Sequence, residues 1–275
     1  MRLFGHKMSI LAQIGLLIVV VNIALAILAP VIAPYPEADL VGDAWADPSP
    51  QFWFGLDQIG RDIFSRMLYG ARMSIGLSLV ITCLSFTIGI IAGFSAAVLG
   101  RWVDVALSRI VDLLLSMPTL IFAFIILSVL GTELPVLIVT IAVLDSTKVF
   151  RLSRAVAMNI VVLEFVEAAK LRGEGLWWII RREILPNAVP PLVAEFGLRF
   201  CFTFLFIAAL SFLGLGIQPP FADWGSMVKD LAQVINYGSP AALYPAGAIA
   251  LLTIGVNFIV DWLLAVYSKG HGEGA

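Results

Sequence analysis

Four ionisable residues interrupt long apolar stretches of this sequence, and they are the first candidates for chemistry. They are Asp145, Glu195, Arg199 and Asp261. A charged group inside a membrane helix is costly, so such residues either pair with one another or line the path of a polar solute. Glu195 and Arg199 are four residues apart on one helix face, and Lys148 follows Asp145 by three, so the spacing favours two neutralising pairs. Contact with a solute is the alternative for both.

Residues for catalysis or metal binding are not apparent. The sequence contains neither a G-x-x-x-x-G-K-[ST] phosphate loop nor a G-x-S-x-G nucleophile elbow. His6 and His271 lie near the two ends, far in sequence from Cys83 and Cys201. Both cysteines fall in apolar stretches, which predicts small buried fillers rather than a disulfide. We therefore expect no catalytic residue, no metal site and no cofactor in this chain.

The composition is that of a membrane protein. Of 275 residues, 60% are hydrophobic and only 13% are charged, and the mean hydropathy is +1.00. Soluble domains carry about 25% charged residues. These values exclude a disordered chain and a nucleic-acid-binding protein, and they predict a bundle of membrane helices.

Six apolar runs are long enough to cross a bilayer, which takes about 20 helical residues. They are 8–29, 73–99, 113–130, 134–157, 189–213 and 241–266. We therefore predict an all-α membrane protein with six transmembrane helices. The basic residues before the first run and its Ala24-Leu25-Ala26 stretch leave a removable signal peptide as an alternative. The run is longer than the roughly 7–15 residues of a signal core, which favours a retained helix.

The basic residues orient these spans. Twelve of the 17 Lys and Arg residues fall on one side of the six-span arrangement, four fall on the other side, and Arg199 lies within a span. Because the cytoplasmic side carries the excess of basic residues, both termini are predicted to be cytoplasmic. The chain then divides into an N-terminal helix (1–30), a periplasmic segment (31–72), a core (73–267) and a cytoplasmic tail (268–275).

Two amphipathic stretches on the external side predict short helices at the membrane interface. In residues 60–70, apolar side chains recur at helical spacing opposite charged ones. Asp223 is placed to cap a second such helix, whose apolar stripe begins at Trp224. Within the third span, Met117-Pro118 predicts a kink.

The cytoplasmic segment 159–186 has the pattern of a helix, a glycine turn and a second helix. Helix-favouring residues run from Glu164 to Arg172, Gly173 and Gly175 break the pattern, and a second apolar stripe starts at Leu176. Such a projecting element either docks a partner or simply closes the bundle. Six residues of the segment have the spacing of a known motif: Glu167, Ala168, Ala169, Gly173, Leu185 and Pro186.

This pattern resembles the EAA motif of binding-protein-dependent ABC importer permeases, in which E-A-A and G are followed after nine residues by I-x-L-P. Glu183 replaces the isoleucine of that pattern. Two further stretches resemble the peptide/nickel/opine group of these permeases: FGLDQIGRDIFSR at 54–66, and LSFLGLG at 210–216 followed by QPP and DWG. The position of the first stretch after one N-terminal helix resembles the C-type subunit.

The resemblance implies a type I importer permease fold and a non-catalytic subunit of the bacterial inner membrane. Such a subunit forms half of a pathway for di- or oligopeptides, or for a nickel chelate, opine or glycoside. The implied partners are a second, B-type permease, two ATPase subunits that hold ATP and Mg, and a periplasmic or lipid-anchored solute-binding protein. Residues 167–173 would then form the coupling helix on an ATPase subunit, and the external helices would either seal the interface or help to form the gate. An ion-driven secondary transporter is the alternative from another class.

Overall fold

The computed structural model describes residues 2–3 and 6–272, with side chains for residues 8–266. The side chains of His6 and His271 therefore lie outside the described residues. The described chain is mostly helical, apart from a small antiparallel pair of strands, β1 (Arg2–Leu3) and β2 (His6–Lys7). The helices are α1 (Ile10–Ile32), α2 (Ile63–Leu99), α3 (Arg101–Leu115), α4 (Thr119–Leu130), α5 (Leu134–Val161), α6 (Glu164–Leu171), α7 (Leu176–Ile179), α8 (Leu185–Phe212), α9 (Trp224–Leu231) and α10 (Leu243–Gly272). A π-helical turn at Ile180–Ile184 joins α7 to α8, and a 3₁₀ turn at Ala232–Tyr237 follows α9.

Four helical stretches in the described chain are long and apolar enough to cross a membrane. They are Ile10–Ile32, Ile63–Leu99, Leu176–Phe212 and Leu243–Val266, and the bent pair α3–α4 is a fifth if it counts as one span. Helix α5 has 28 residues, about 42 Å of helix, but it carries four charged residues, three of them in its second half. The chain is thus a multi-pass membrane protein, and the count of six spans stays a prediction.

Helix α2 begins where a separate interfacial helix is predicted, and it then continues through the second span as one helix of 37 residues. The side chain of Asp62 caps it by accepting the Ser65 N–H at 2.8 Å. Gly70 does not break the helix because α9 packs on it: a Cβ there would lie 2.9 Å from the Trp224 ring. The predicted boundary at residue 72 therefore has no counterpart in the helix itself.

The third predicted span, 113–130, covers the end of α3 and all of α4, and these two helices meet at an angle of 84°. The break falls at Ser116, Met117 and Pro118, where the kink is predicted. Proline lacks the amide hydrogen that a helix interior needs, and its ring clashes with the preceding turn. Pro118 instead stands at the start of α4 with an extended backbone.

Helices α2 and α5 form the centre of the bundle and pack closely through small residues. Gly89 and Gly93 of α2 form a G-x-x-x-G pair, the pattern that lets two membrane helices approach. The Ser153 hydroxyl on α5 donates to the Gly89 carbonyl at 2.9 Å. A Cβ on Gly93 would lie 2.9 Å from backbone atoms of both Phe150 and Arg154. Side chains of any size are therefore excluded along this contact.

Helix α1 packs on α10 in the same way, since a Cβ on Gly15 would lie 2.4 Å from the Gly255 carbonyl oxygen. Helix α1 is thus packed against the bundle through small residues, and its retention stays a prediction. Cys201 is buried, as predicted, but Cys83 is exposed on α2 and fills no core position.

Candidate functional site

The segment between α5 and α8 forms the compact projection that the sequence predicts. Helix α6 ends at Leu171, and Gly173 follows with a φ of +79°. The Gly173 N–H donates to the Lys170 carbonyl at 3.0 Å, and the Glu174 N–H donates to the Ala169 carbonyl at 3.2 Å. These two bonds are the Schellman arrangement that ends a helix at a left-handed residue. Gly173 therefore sets the direction in which the chain leaves α6.

The three residues of the E-A-A triplet have different environments. Ala169 is fully buried, together with Val166, in the core that α6 shares with α5 and α8. Glu167 and Ala168 are exposed. The small size of both alanines suggests room for a partner to approach. Only Ala168 is exposed, however, and Ala169 is buried. Ala169 is small because a larger side chain would displace α6 from its own chain.

Three large apolar side chains of the same segment are also exposed. Val162 is 77% exposed, Leu171 is 83% exposed and Trp177 is 63% exposed. Contiguous apolar groups on a projecting element are typical of a protein contact site. We call Val162, Glu167, Ala168, Leu171 and Trp177 the coupling surface. Its three apolar residues are not part of the sequence motif, and only their exposure in the structure identifies them as members of this surface.

The last part of the segment is tied to the turn at Gly173. The Leu185 N–H donates to the Ile180 carbonyl five residues earlier, which makes the π-helical turn before Pro186. Leu185 is half-buried and Pro186 is exposed. Glu183, which departs from the motif, lies 4.0 Å from the Arg172 guanidinium. The departure therefore adds an ion pair between the glycine turn and the start of the membrane helix.

The intramembrane charges form one connected network. Lys148 lies 3.6 Å from Asp145, and Arg199 lies 2.7 Å from Glu195, so both predicted pairs are within ion-pair distance. Arg199 also lies 3.7 Å from Asp145, and this contact joins α8 to α5. The network contains two carboxylates and two cations, so its formal charge is zero.

Hydroxyl groups complete the surroundings of Asp145. Ser85 of α2 and Thr203 of α8 each donate to its Oδ2 atom at 3.4 Å. The same carboxylate lines a small cavity of about 80 Å³ with Lys148, which has room for only a few water molecules. Asp261, in contrast, is exposed on α10. Each charge of the network therefore has an ion-pair partner within the chain, although the buried Arg199 Nε atom has no hydrogen-bond partner, and the cavity leaves little room for a solute.

Replacing Glu195 by glutamine tests this structural interpretation. We expect a loss of about 1 kcal/mol of stability, because Arg199 keeps Asp145 as a partner. Thermal unfolding and the yield of folded protein should fall, while uptake per folded complex should stay unchanged. Glu133→Gln, at an exposed carboxylate, is the matched control. Reduced uptake per folded complex with normal stability would instead assign Glu195 to contact with the solute.

Comparison with known proteins identifies the family of this chain. The family model for the binding-protein-dependent transport system inner membrane component matches residues 85–270. This match covers more than half of the chain and includes the coupling surface and the charge network. The chain belongs to this permease family.

Named permeases are similar over nearly the full length. The dipeptide transport system permease protein DppC of Alkalihalophilus pseudofirmus is 38% identical over 263 residues, which are 94% of this chain and 85% of the relative. The probable D,D-dipeptide transport system permease protein DdpC of Escherichia coli is 34% identical and the glutathione transport system permease protein GsiD of Pectobacterium atrosepticum is 31% identical. These alignments cover 93% and 90% of this chain, and 86% and 83% of the two relatives. The relatives therefore place the permease among ABC importer permeases of the peptide group.

In this permease the 54–66 signature folds into a compact, buried structure at the start of α2. The Asp57 carboxylate accepts the backbone N–H of Arg61 at 3.0 Å and the Arg61 side chain at 2.7 Å, and Arg66 lies 3.5 Å away. Gly60 has a φ of +86°, and a Cβ there would lie 2.0 Å from the backbone of Gly42. The charged and glycine positions of the signature are thus explained by the local fold.

This compact structure also holds helix α9 and the chain before it. Glu37 accepts the Ala222 N–H at 2.6 Å, and the Trp224 indole donates to the Met67 carbonyl at 2.9 Å. Burial raises the pKa of Asp230 on α9, against the attraction of the two signature arginines. Residues far apart in the permease sequence therefore form one packed unit at the start of α2.

Proposed function

We propose that this chain is the C-type permease subunit of an ATP-driven importer and forms half of a translocation pathway for short peptides. The observation that carries the proposal is the coupling surface, because it lies on a short projection that begins and ends with membrane helices. Exposed apolar side chains on a projecting segment are typical of a protein contact site. The family membership supports ATPase subunits as that partner and a solute-binding protein as the source of substrate.

The remaining features of the proposal follow from the sequence. They are a type I fold with six spans, both termini in the cytoplasm, a bacterial inner membrane location and a second, B-type permease. In this arrangement ATP and Mg²⁺ bind the partner subunits, and the chain itself performs no catalysis. ATP-driven closure of the ATPase subunits would move the projection, and α5 and α8 would pass that movement into the bundle.

Short peptides are the proposed substrates because the named relatives transport dipeptides, D,D-dipeptides or glutathione. Nickel chelates, opines and glycosides are the other solutes that the resemblance allows. An ion-driven transporter is the rival function. The pairing of Asp145 with Lys148 and of Glu195 with Arg199 supports the importer over this rival, since proton coupling uses carboxylates that change charge during transport.

Isolation of the complex provides the test. We expect the chain, purified with gentle detergent from cells that express its neighbouring genes, to carry an ATPase and a second permease with it. In proteoliposomes, uptake of a dipeptide should require both ATP on the cytoplasmic side and the solute-binding protein. Uptake by this chain alone without nucleotide would contradict the proposal and favour the ion-driven alternative.

A further inference from the structure

A cavity of about 480 Å³ runs along α2 and has one cation, Arg72, in its wall. Its walls are mainly apolar, with Gly76 and Val80 on α2, Ile138 on α5 and Phe221 before α9. From Arg72 to Val80 the helix descends about 12 Å. Cavities for small ligands measure about 300–1,000 Å³ and combine apolar walls with a few polar groups. This cavity meets both criteria.

Arg72 is the cation of this cavity. It is exposed and forms no ion pair with any carboxylate among the side chains that the structure describes, residues 8–266. Lys148, Arg151 and Arg154 also line cavities, and each of them is paired with an aspartate. The charge of Arg72 is therefore available to a ligand.

The opposite charge in the cavity is fixed in place. Glu37 accepts the Ala222 N–H at 2.6 Å through Oε2, and its own carbonyl accepts a hydrogen bond from Arg66 at 3.2 Å. Its Oε1 atom accepts no hydrogen bond from the side chains and backbone of residues 8–266. One cavity thus offers a guanidinium, a positioned carboxylate oxygen and apolar walls.

We propose that this cavity binds a short peptide during transport, with Arg72 on the terminal carboxylate. This proposal rests on the proposed function and adds the residue that recognises the substrate. A guanidinium donates two parallel hydrogen bonds to a carboxylate, a geometry that an ammonium group does not offer. Glu37 accepts from the terminal ammonium group, and the apolar walls contact the side chains. A neutral glycoside lacks both charges and does not fit this description.

The experiment compares three variants of the complete complex in proteoliposomes, with wild-type solute-binding protein and glycyl-leucine as the probe. Arg72→Gln is expected to lower the initial rate of uptake about tenfold, the effect of losing one charge-assisted interaction. Arg72→Lys should recover part of that rate, because the charge remains but the paired geometry is lost. Lys229→Gln, which removes another exposed cation on the predicted external side, should transport like wild type.

Two results would overturn the proposal. Uptake by Arg72→Gln at the rate of Lys229→Gln would show that Arg72 does not contact the peptide. Loss of the second permease from purified Arg72→Gln would assign the cavity to the interface between subunits. A failure of the proposed function has a different signature, since wild-type uptake would then not require ATP. The thermal stability of each complex controls for misfolding, and among the described side chains Arg72 forms no ion pair whose loss would lower it.

Discussion

Replacing Gly173 by aspartate is expected to reduce ATP-driven uptake about a hundredfold or more, with little change in the yield of the folded complex. The residue has a φ of +79°, and a Cβ there would meet nothing within 4 Å. The folding cost is therefore limited to backbone strain of about 1 kcal/mol, and aspartate tolerates this conformation better than most residues. The new charge, however, projects from the end of α6 toward the proposed ATPase contact. A buried charge without a partner weakens such a contact by about 2–5 kcal/mol.

Two further variants separate the contact from the strain. Gly131→Asp adds the same side chain at a φ of +91°, again with nothing within 4 Å of the Cβ, but at the end of α4. It should keep normal uptake. Gly173→Asn has almost the shape of aspartate without its charge, and it should fall between wild type and Gly173→Asp. Uptake and ATP hydrolysis are measured on the same proteoliposomes. Normal ATP-driven uptake by Gly173→Asp would contradict the coupling assignment.

Replacing Gly93 by valine is expected to destabilise the bundle by about 3 kcal/mol, the upper part of the range for overpacked cores. A Cβ at this position lies 2.2 Å from the Ser153 hydroxyl oxygen and 2.9 Å from backbone atoms of α5. Backbone atoms cannot move aside as a flexible side chain does, so the two helices must separate. We expect a low yield of folded protein and a reduced unfolding temperature.

Gly247→Val is the matched control for this variant. It makes the same change near the start of another membrane helix, α10, where a Cβ would meet nothing within 4 Å. Its stability should stay close to that of wild type. Equal destabilisation by both valines would mean that helix propensity, and not the contact between α2 and α5, determines the effect.

Local sequence features predicted the helix–turn–helix structure of segment 159–186 because that structure depends on neighbouring residues. The same holds for several other features of the fold. A glycine after a run of helix formers ends α6, Asp223 accepts the backbone N–H of Ser226 at 2.8 Å as the cap of α9, and a proline separates α3 from α4. The ion pairs within α5 and within α8 also follow from spacing along one helix. In each of these cases the physical cause lies within a few residues of its effect.

Features that depend on contacts between helices were not predicted. The continuity of α2 through Gly70 depends on Trp224, which follows 154 positions later in the sequence. The link from Asp145 to Arg199 needs the register of α5 against α8, and burial of Ala169 needs the packing of α6 on its own chain. The Gly89 and Gly93 pair was readable as a G-x-x-x-G pattern, and this signal could have indicated the central helix contact.

The packed unit at the start of α2 also constrains how the protein is made. Glu37 and Ala222, which it joins, are 185 residues apart in the chain. At about 5–20 residues per second, a ribosome needs about 10–40 s to synthesise that interval. During this time the acidic segment near Glu37 has already emerged, but its anchoring amide does not yet exist. Quality control by proteases and chaperones thus has a defined period in which to distinguish a nascent chain from a completed one.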